Sequence, residues 1–109
     1  MPIENNQDLH ALTHAMHEFV RDKGWYDPTS KRVQSPRNLA ISLSIEAAEV
    51  LELFQWGEEA YNSQELASEL ADVMLYLLQL ASITGIDLGQ AAEEKLAINA
   101  KRTWDDDLT

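Results

Sequence analysis

The sequence predicts an all-α fold, a four-helix bundle completed by association with further copies of the same chain. Two observations carry this expectation. First, apolar residues recur at helical spacing through four segments, each opened by a capping residue, and no alternating, strand-like stretch competes with them. Second, the middle two segments are apolar on more than one face. A helix of that kind needs covering on several sides, which one small layer of four helices cannot supply. Self-association covers it most simply. The chain has 109 residues, 45% apolar and 25% charged, which fits one domain over residues 1–109 with a modest core.

The first helix is expected to start from Asn5 or Asn6 as cap and to end near Lys23-Gly24, with Leu9, Leu12, Met16, Phe19 and Val20 as its apolar stripe. Trp25 to Ser35 reads as irregular, with Asp27-Pro28 as a turn. Ser35-Pro36 supplies an N-cap followed by a first-turn proline, and the second helix is expected to run to about Trp56-Gly57. Asn62 and Ser63 offer caps for the third helix, with Glu65 three residues after Asn62 as in a capping box, and Gly85 ends it. Asp87 opens the fourth, which is expected to reach Trp104.

Charge and composition narrow the function. Nineteen acidic residues against eight basic ones give a net charge of −11, which argues against binding a nucleic-acid backbone. There is no cysteine, so thiolate metal sites and disulfides are excluded. The start, Met1 to Gln7, is polar and acidic rather than signal-like, and the apolar run Val73 to Leu78 is too short to cross a bilayer. The expectation is a cytoplasmic protein with no membrane partner.

Two pairs of acids stand out. Glu46 and Glu49 lie three apart in the second helix, Glu69 and Asp72 three apart in the third, so each pair shares a helix face within apolar sequence. Unpaired carboxylates in such surroundings are costly, and their mutual repulsion adds to the cost. A hard divalent cation between the pairs would relieve both effects. Oxygen-only ligation suits Mg²⁺ or Mn²⁺ rather than zinc. A di-iron bundle site would need Glu-x-x-His motifs, which neither pair provides. From the residues alone, solvated surface acids or helix-to-helix ion pairs remain the alternative.

The motifs Pro36-Arg37-Asn38-Leu39, then Glu46-Ala47-Ala48-Glu49 running on to Phe54-Gln55-Trp56, then Glu69-Leu70-Ala71-Asp72-Val73 resemble the MazG-like nucleotide pyrophosphohydrolases, and most nearly the single-domain dCTP pyrophosphatase branch. The resemblance runs from about Arg21 to Arg102. It implies a house-cleaning enzyme that cleaves a nucleoside triphosphate between the α and β phosphates, giving monophosphate and pyrophosphate. It implies that Glu46, Glu49, Glu69 and Asp72 hold Mg²⁺, with Glu46 as the favoured general base and Glu49 beside it. It places Tyr76, Lys95, Asn99 and Arg102 on the phosphates and Trp25, Asn38 and Trp56 at the base, and it favours a homotetramer over a dimer. Asn38 has a second reading, as a residue serving the helix start.

The chain departs from the family pattern in several places. Ile45 stands where many members carry a leading Glu, and Thr103 stands where the close branch has a tyrosine. The segment between the acid pairs is short, and the stretch from Trp25 to Pro36 is long. His10, His14 and His17 share a helical stripe, but it points away from the apolar stripe, so they read as three solvated histidines rather than a transition-metal site. Two rival readings stay open: dUTP or phosphoribosyl-ATP pyrophosphohydrolase chemistry, which would share the metal site, and a non-enzymatic helical interaction module.

Overall fold

The computed structural model describes residues 8–59 and 61–102. Four helices follow one another: α1 (Leu9–Asp22), α2 (Pro36–Glu52), α3 (Ser63–Ile83) and α4 (Leu88–Lys101). Among the described residues there is no strand.

Side-chain caps set three of the starts where local sequence put them. Ser35 accepts from the Asn38 amide at 3.2 Å with Pro36 in the first turn, Asn62 accepts from the amides of Gln64 and Glu65, and Asp87 accepts from that of Gln90. The first start differs from expectation. Asp8 is the cap, accepting from the His10 amide at 2.7 Å, and Asn5 and Asn6 lie outside the described residues. The second helix also ends early. It stops at Glu52, and Leu53 to Trp56 continue as turns because the amides of Leu53, Phe54 and Gln55 bond three residues back instead of four. Trp104, the expected end of the fourth helix, lies outside the described residues.

Two helices end in the same way. Gly24 and Gly85 adopt φ of 76° and 77°, and each closes a paired set of bonds back into its helix. Trp25 N–H donates to the Val20 carbonyl and Gly24 N–H to that of Arg21; Ile86 and Gly85 repeat the pattern on Ala81 and Ser82. The first of these turns throws Trp25 back against α1, where its ring meets Phe19 edge-on at 5.6 Å.

Helix α3 is the centre. It packs most extensively along α2, then against α1, and more lightly against α4. The core is small: Met16 and Val20 from α1, Leu39 from α2, Leu78 and Ala81 from α3. Much apolar surface stays open. Ile41, Ile45 and Leu51 on α2, Leu70 and Met74 on α3, and Leu96 and Ile98 on α4 are all exposed. The radius of gyration is 16.7 Å, against about 13 Å for a compact chain of this length. By length and composition α3 is apolar enough to cross a bilayer, which the short run Val73 to Leu78 did not reveal. It also carries Glu69 and Asp72, turned toward the acids of α2.

Candidate functional site

The two acid pairs meet across the α2–α3 seam. Glu46, Glu49 and Glu69 each bring a carboxylate oxygen within 4.8 Å of the others. Asp72 is close enough to act electrostatically on both Glu46 and Glu69. The i, i+3 spacing places each pair on one face, and the packing of α2 on α3 sets the faces opposite. All four side chains are half-buried.

The cluster is incomplete on its own. Oε1 of Glu46 and Oε1 of Glu69 are buried with no hydrogen-bond partner. Burial raises the proton affinity of Glu46, and the charges of Glu49, Asp72 and Glu69 raise it further. Burial likewise pushes the Glu69 carboxyl up, followed by the charge of Glu49 and a hydrogen bond with it. Orphaned, repelling carboxylate oxygens converging from two helices fit a divalent cation. The donor set is all oxygen, which suits a hard metal. Ile45, beside Glu46, is exposed and adds no ligand.

A cavity of about 190 Å³ opens beside the acids. Met16, Phe19, Val20 and Leu75 give it apolar walls, Trp25 an aromatic one, and Asp72, Tyr76, Gln34 and Gln79 its polar groups. The Arg32 guanidinium sits 4.1 Å from the centre of the Trp25 ring. A second, more polar cavity lies alongside, lined by Lys31, Arg32, Asn38, Ser42 and Tyr76 among others. Tyr76 borders both.

The structure thus draws Trp25, Tyr76 and Asp72 together around one cavity. Asn38 sits in the neighbouring one, and its side-chain amide donates to the Val33 carbonyl at 3.0 Å, so it also fastens the chain just ahead of α2. Other expected residues lie apart. Trp56 is 83% exposed beyond the end of α2 and lines neither cavity. Lys95, Asn99 and Arg102 are on α4 or at its end and line neither cavity. Asn99 is half-buried with its Oδ1 unpartnered, whereas Lys95 and Arg102 are exposed.

One histidine departs from expectation. His10 and His14 are exposed, but His17 is half-buried. Its Nδ1 lies 2.6 Å from the Tyr26 hydroxyl and its Nε2 2.7 Å from that of Ser82, so it ties α1 to α3 and to the following loop. Burial, with the charges of His14 and Arg21, lowers its pKa. A helical wheel of α1 alone could not show this, because both partners come from outside the helix. Gln79 was missed as well. It is the one polar residue inside the apolar run Val73 to Ala81 apart from Tyr76, and that isolation was the available signal.

Residues 41–107 match the MazG-like family. The chain belongs to that family. It is 35% identical to mouse dCTP pyrophosphatase 1 over 92% of its own length and 34% identical to the human protein of the same name. It spans 58% of the length of these curated relatives. A solved pyrophosphatase structure from Archaeoglobus fulgidus superposes with a TM-score of 0.72 at 33% identity, covering 84% of this chain and 87% of that one. A shorter match, 47% identical over 36 residues, is to the dATP/dGTP diphosphohydrolase of cyanophage S-2L; it covers 33% of this chain and 34% of that one. The all-α architecture agrees with this family.

Proposed function

We propose that the chain is a divalent-metal-dependent nucleoside triphosphate pyrophosphohydrolase that removes dCTP or related deoxynucleotides from the nucleotide pool. The observation that carries this reading is the junction at Asp72, where a converging carboxylate cluster meets an aromatic-walled cavity. The names of the mouse and human relatives support dCTP as substrate.

Glu46, Glu49, Glu69 and Asp72 hold the metal, Mg²⁺ with Mn²⁺ as substitute. A divalent cation there supplies charge neutralisation for the triphosphate and a lower pKa for water at the site. Water adds to the α-phosphorus, and the bond from that phosphorus to the oxygen bridging to the β-phosphate breaks, leaving monophosphate and pyrophosphate. Glu46, whose Oε1 has no other partner, takes the water's proton. Tyr76, at the border between the cavities, steadies the substrate beside the metal. Trp25 stacks on the base, and Asn38 lies within reach of the sugar and base. Lys95, Asn99 and Arg102 contact phosphate, and Trp56 a base, from positions outside the two cavities. A second copy packed on the exposed apolar faces of α2, α3 and α4 would bring such groups to a site, and this supports a homo-oligomer, with a tetramer favoured.

The test is pyrophosphate release from a panel of canonical and modified nucleoside triphosphates, with Mg²⁺ and with chelator. Metal-dependent release with a monophosphate product is expected, with dCTP among the best substrates. Absence of release from every triphosphate, together with absence of Mg²⁺ binding, would leave a helical interaction module instead.

A further inference from the structure

Gln79 lies on the same stripe of α3 as the metal ligands. Glu69, Asp72, Tyr76 and Gln79 follow at steps of three, four and three, so they line one face. At 1.5 Å per residue, Gln79 stands about 10 Å along the helix from Asp72, at the far end of the Trp25 cavity from the acids. It is the one buried polar side chain among the described residues, only 3% exposed.

Its carboxamide orientation follows from its neighbours. Gln34 Nε2 donates to the Arg32 backbone carbonyl at 2.7 Å, and a carbonyl can only accept, so the other atom of that amide, Oε1, is an acceptor. Gln79 approaches this Oε1 at 2.8 Å and must present its Nε2. The same Nε2 reaches the Tyr26 hydroxyl at 3.2 Å. The Tyr26 hydroxyl is also hydrogen-bonded to His17 Nδ1, whose ring bonds the Ser82 hydroxyl through Nε2. The Arg32 carbonyl thus sets the orientation of both carboxamides, Gln34 and Gln79. Both hydrogens of Gln79 are consumed, and its Oε1 takes no hydrogen bond among the described residues. Gln79 lines the cavity, so this Oε1 is an acceptor still open to a donor that a ligand supplies.

On the triphosphate reading above, we infer that Gln79 is a specificity residue whose Oε1 accepts a hydrogen bond from the 4-amino group of a cytosine seated in the Trp25 cavity. Uracil and thymine present a carbonyl oxygen at that position, which sets two acceptors against each other. Gln79 cannot turn over to suit them without setting its own Oε1 against that of Gln34 and breaking the chain to Tyr26. Tyr26, Gln34 and His17 act through Gln79 as positioning residues. The unusually long Trp25 to Ser35 stretch supplies Tyr26 and Gln34, so it serves base choice.

The experiment compares kcat/KM, with Mg²⁺ and the full chain, for dCTP, for dUTP, and for the deoxynucleotide whose 2-pyrimidinone base carries hydrogen in place of the 4-amino group. Wild type is expected to lose about tenfold or more on removal of the amino group, and more again with dUTP. Gln79→Leu is expected to bring the three substrates within about threefold of one another. Equal rates for dCTP and the 2-pyrimidinone analogue in wild type would overturn the assignment, as would an unchanged ratio in Gln79→Leu. If that variant does not fold, the analogue series on wild type decides alone. Hydrolysis of dUTP as fast as dCTP would sink the specificity role while leaving the triphosphate chemistry standing. Hydrolysis of no triphosphate would end both.

Discussion

Neutralising Glu46 is expected to change thermal stability in opposite directions with and without a divalent cation. Its carboxylate lies within 4.8 Å of those of Glu49 and Glu69, oxygen to oxygen, and its Oε1 is buried without a partner. At that distance one like-charged pair repels by about 1 kcal/mol when water screens it. The half-exposed setting calls for that screened figure rather than the larger interior one. Glu46→Gln keeps the shape and removes the charge. In chelator it should therefore stabilise the chain by about 1 kcal/mol, a rise in Tm of roughly 4–8 °C for a domain of this size. With Mg²⁺ the sign reverses. A ligand at a hundred times its Kd stabilises the folded state by about 2.7 kcal/mol, and the variant loses most of that gain. The assay is a pair of thermal melts for each protein, one in chelator and one in saturating Mg²⁺. A variant that melts below wild type in both conditions would refute the reasoning, because Glu46 would then be a structural group and not a repelled metal ligand. So would a wild type whose Tm is indifferent to both Mg²⁺ and Mn²⁺.

Other outcomes follow from the same geometry. Asp72→Asn is expected to cut turnover at least a hundredfold while leaving the sedimentation profile unchanged, which separates loss of metal from loss of fold. Glu46 and Glu69 both hold a proton more tightly when folded, so their stabilising contribution is full below the ordinary carboxylate range of about pH 4 and is lost as pH rises through the raised folded values. Metal-free wild type should accordingly lose Tm with rising pH more steeply than a Glu46→Gln, Glu69→Gln double variant, as read by melts in chelator across weakly acidic pH. Trp25→Ala removes a stacking wall of a kind that contributes about 1–3 kcal/mol per base, and kcat/KM for dCTP should fall roughly tenfold or more. Leu96, 69% exposed, and Ile98, 53% exposed, project from a lightly packed helix. If the proposed homo-oligomer forms through this face, charged replacements at both are expected to shift the chain to a smaller species in light scattering, and an unchanged mass would refute that.

Much of the helical framework was legible residue by residue because its signals are local. Ser35 with Pro36, Asn62 and Asp87 are caps whose bonds reach only two or three residues ahead, and Gly24 and Gly85 end helices through their own backbone freedom. The start of α1 and the end of α2 were less legible. Asn5, Asn6 and Asp8 all have cap chemistry, and local sequence does not rank them; Asp8 serves, accepting from the His10 amide. After Glu52 the apolar run Leu53 to Trp56 continues the pattern of a helix, yet its bonds tighten to three-residue turns.

The acid pairs, their i, i+3 spacing and their apolar setting are properties of the covalent chain, and with the MazG-like motifs they point to a carboxylate metal site before any coordinates are considered. Folding decided the rest. It set Glu69 opposite Glu46 and Glu49, since only the packing of α2 on α3 determines which faces meet. It left Trp56 exposed and put Trp25 beside Asp72. It drew His17 out of solvent and gave Gln79 its orientation, through partners 65 residues away for the first and 45 and 53 for the second. A helical wheel carries angles about one axis, whereas a hydrogen-bond chain across two helices and a loop depends on the distances between axes, and those exist only once the bundle has formed.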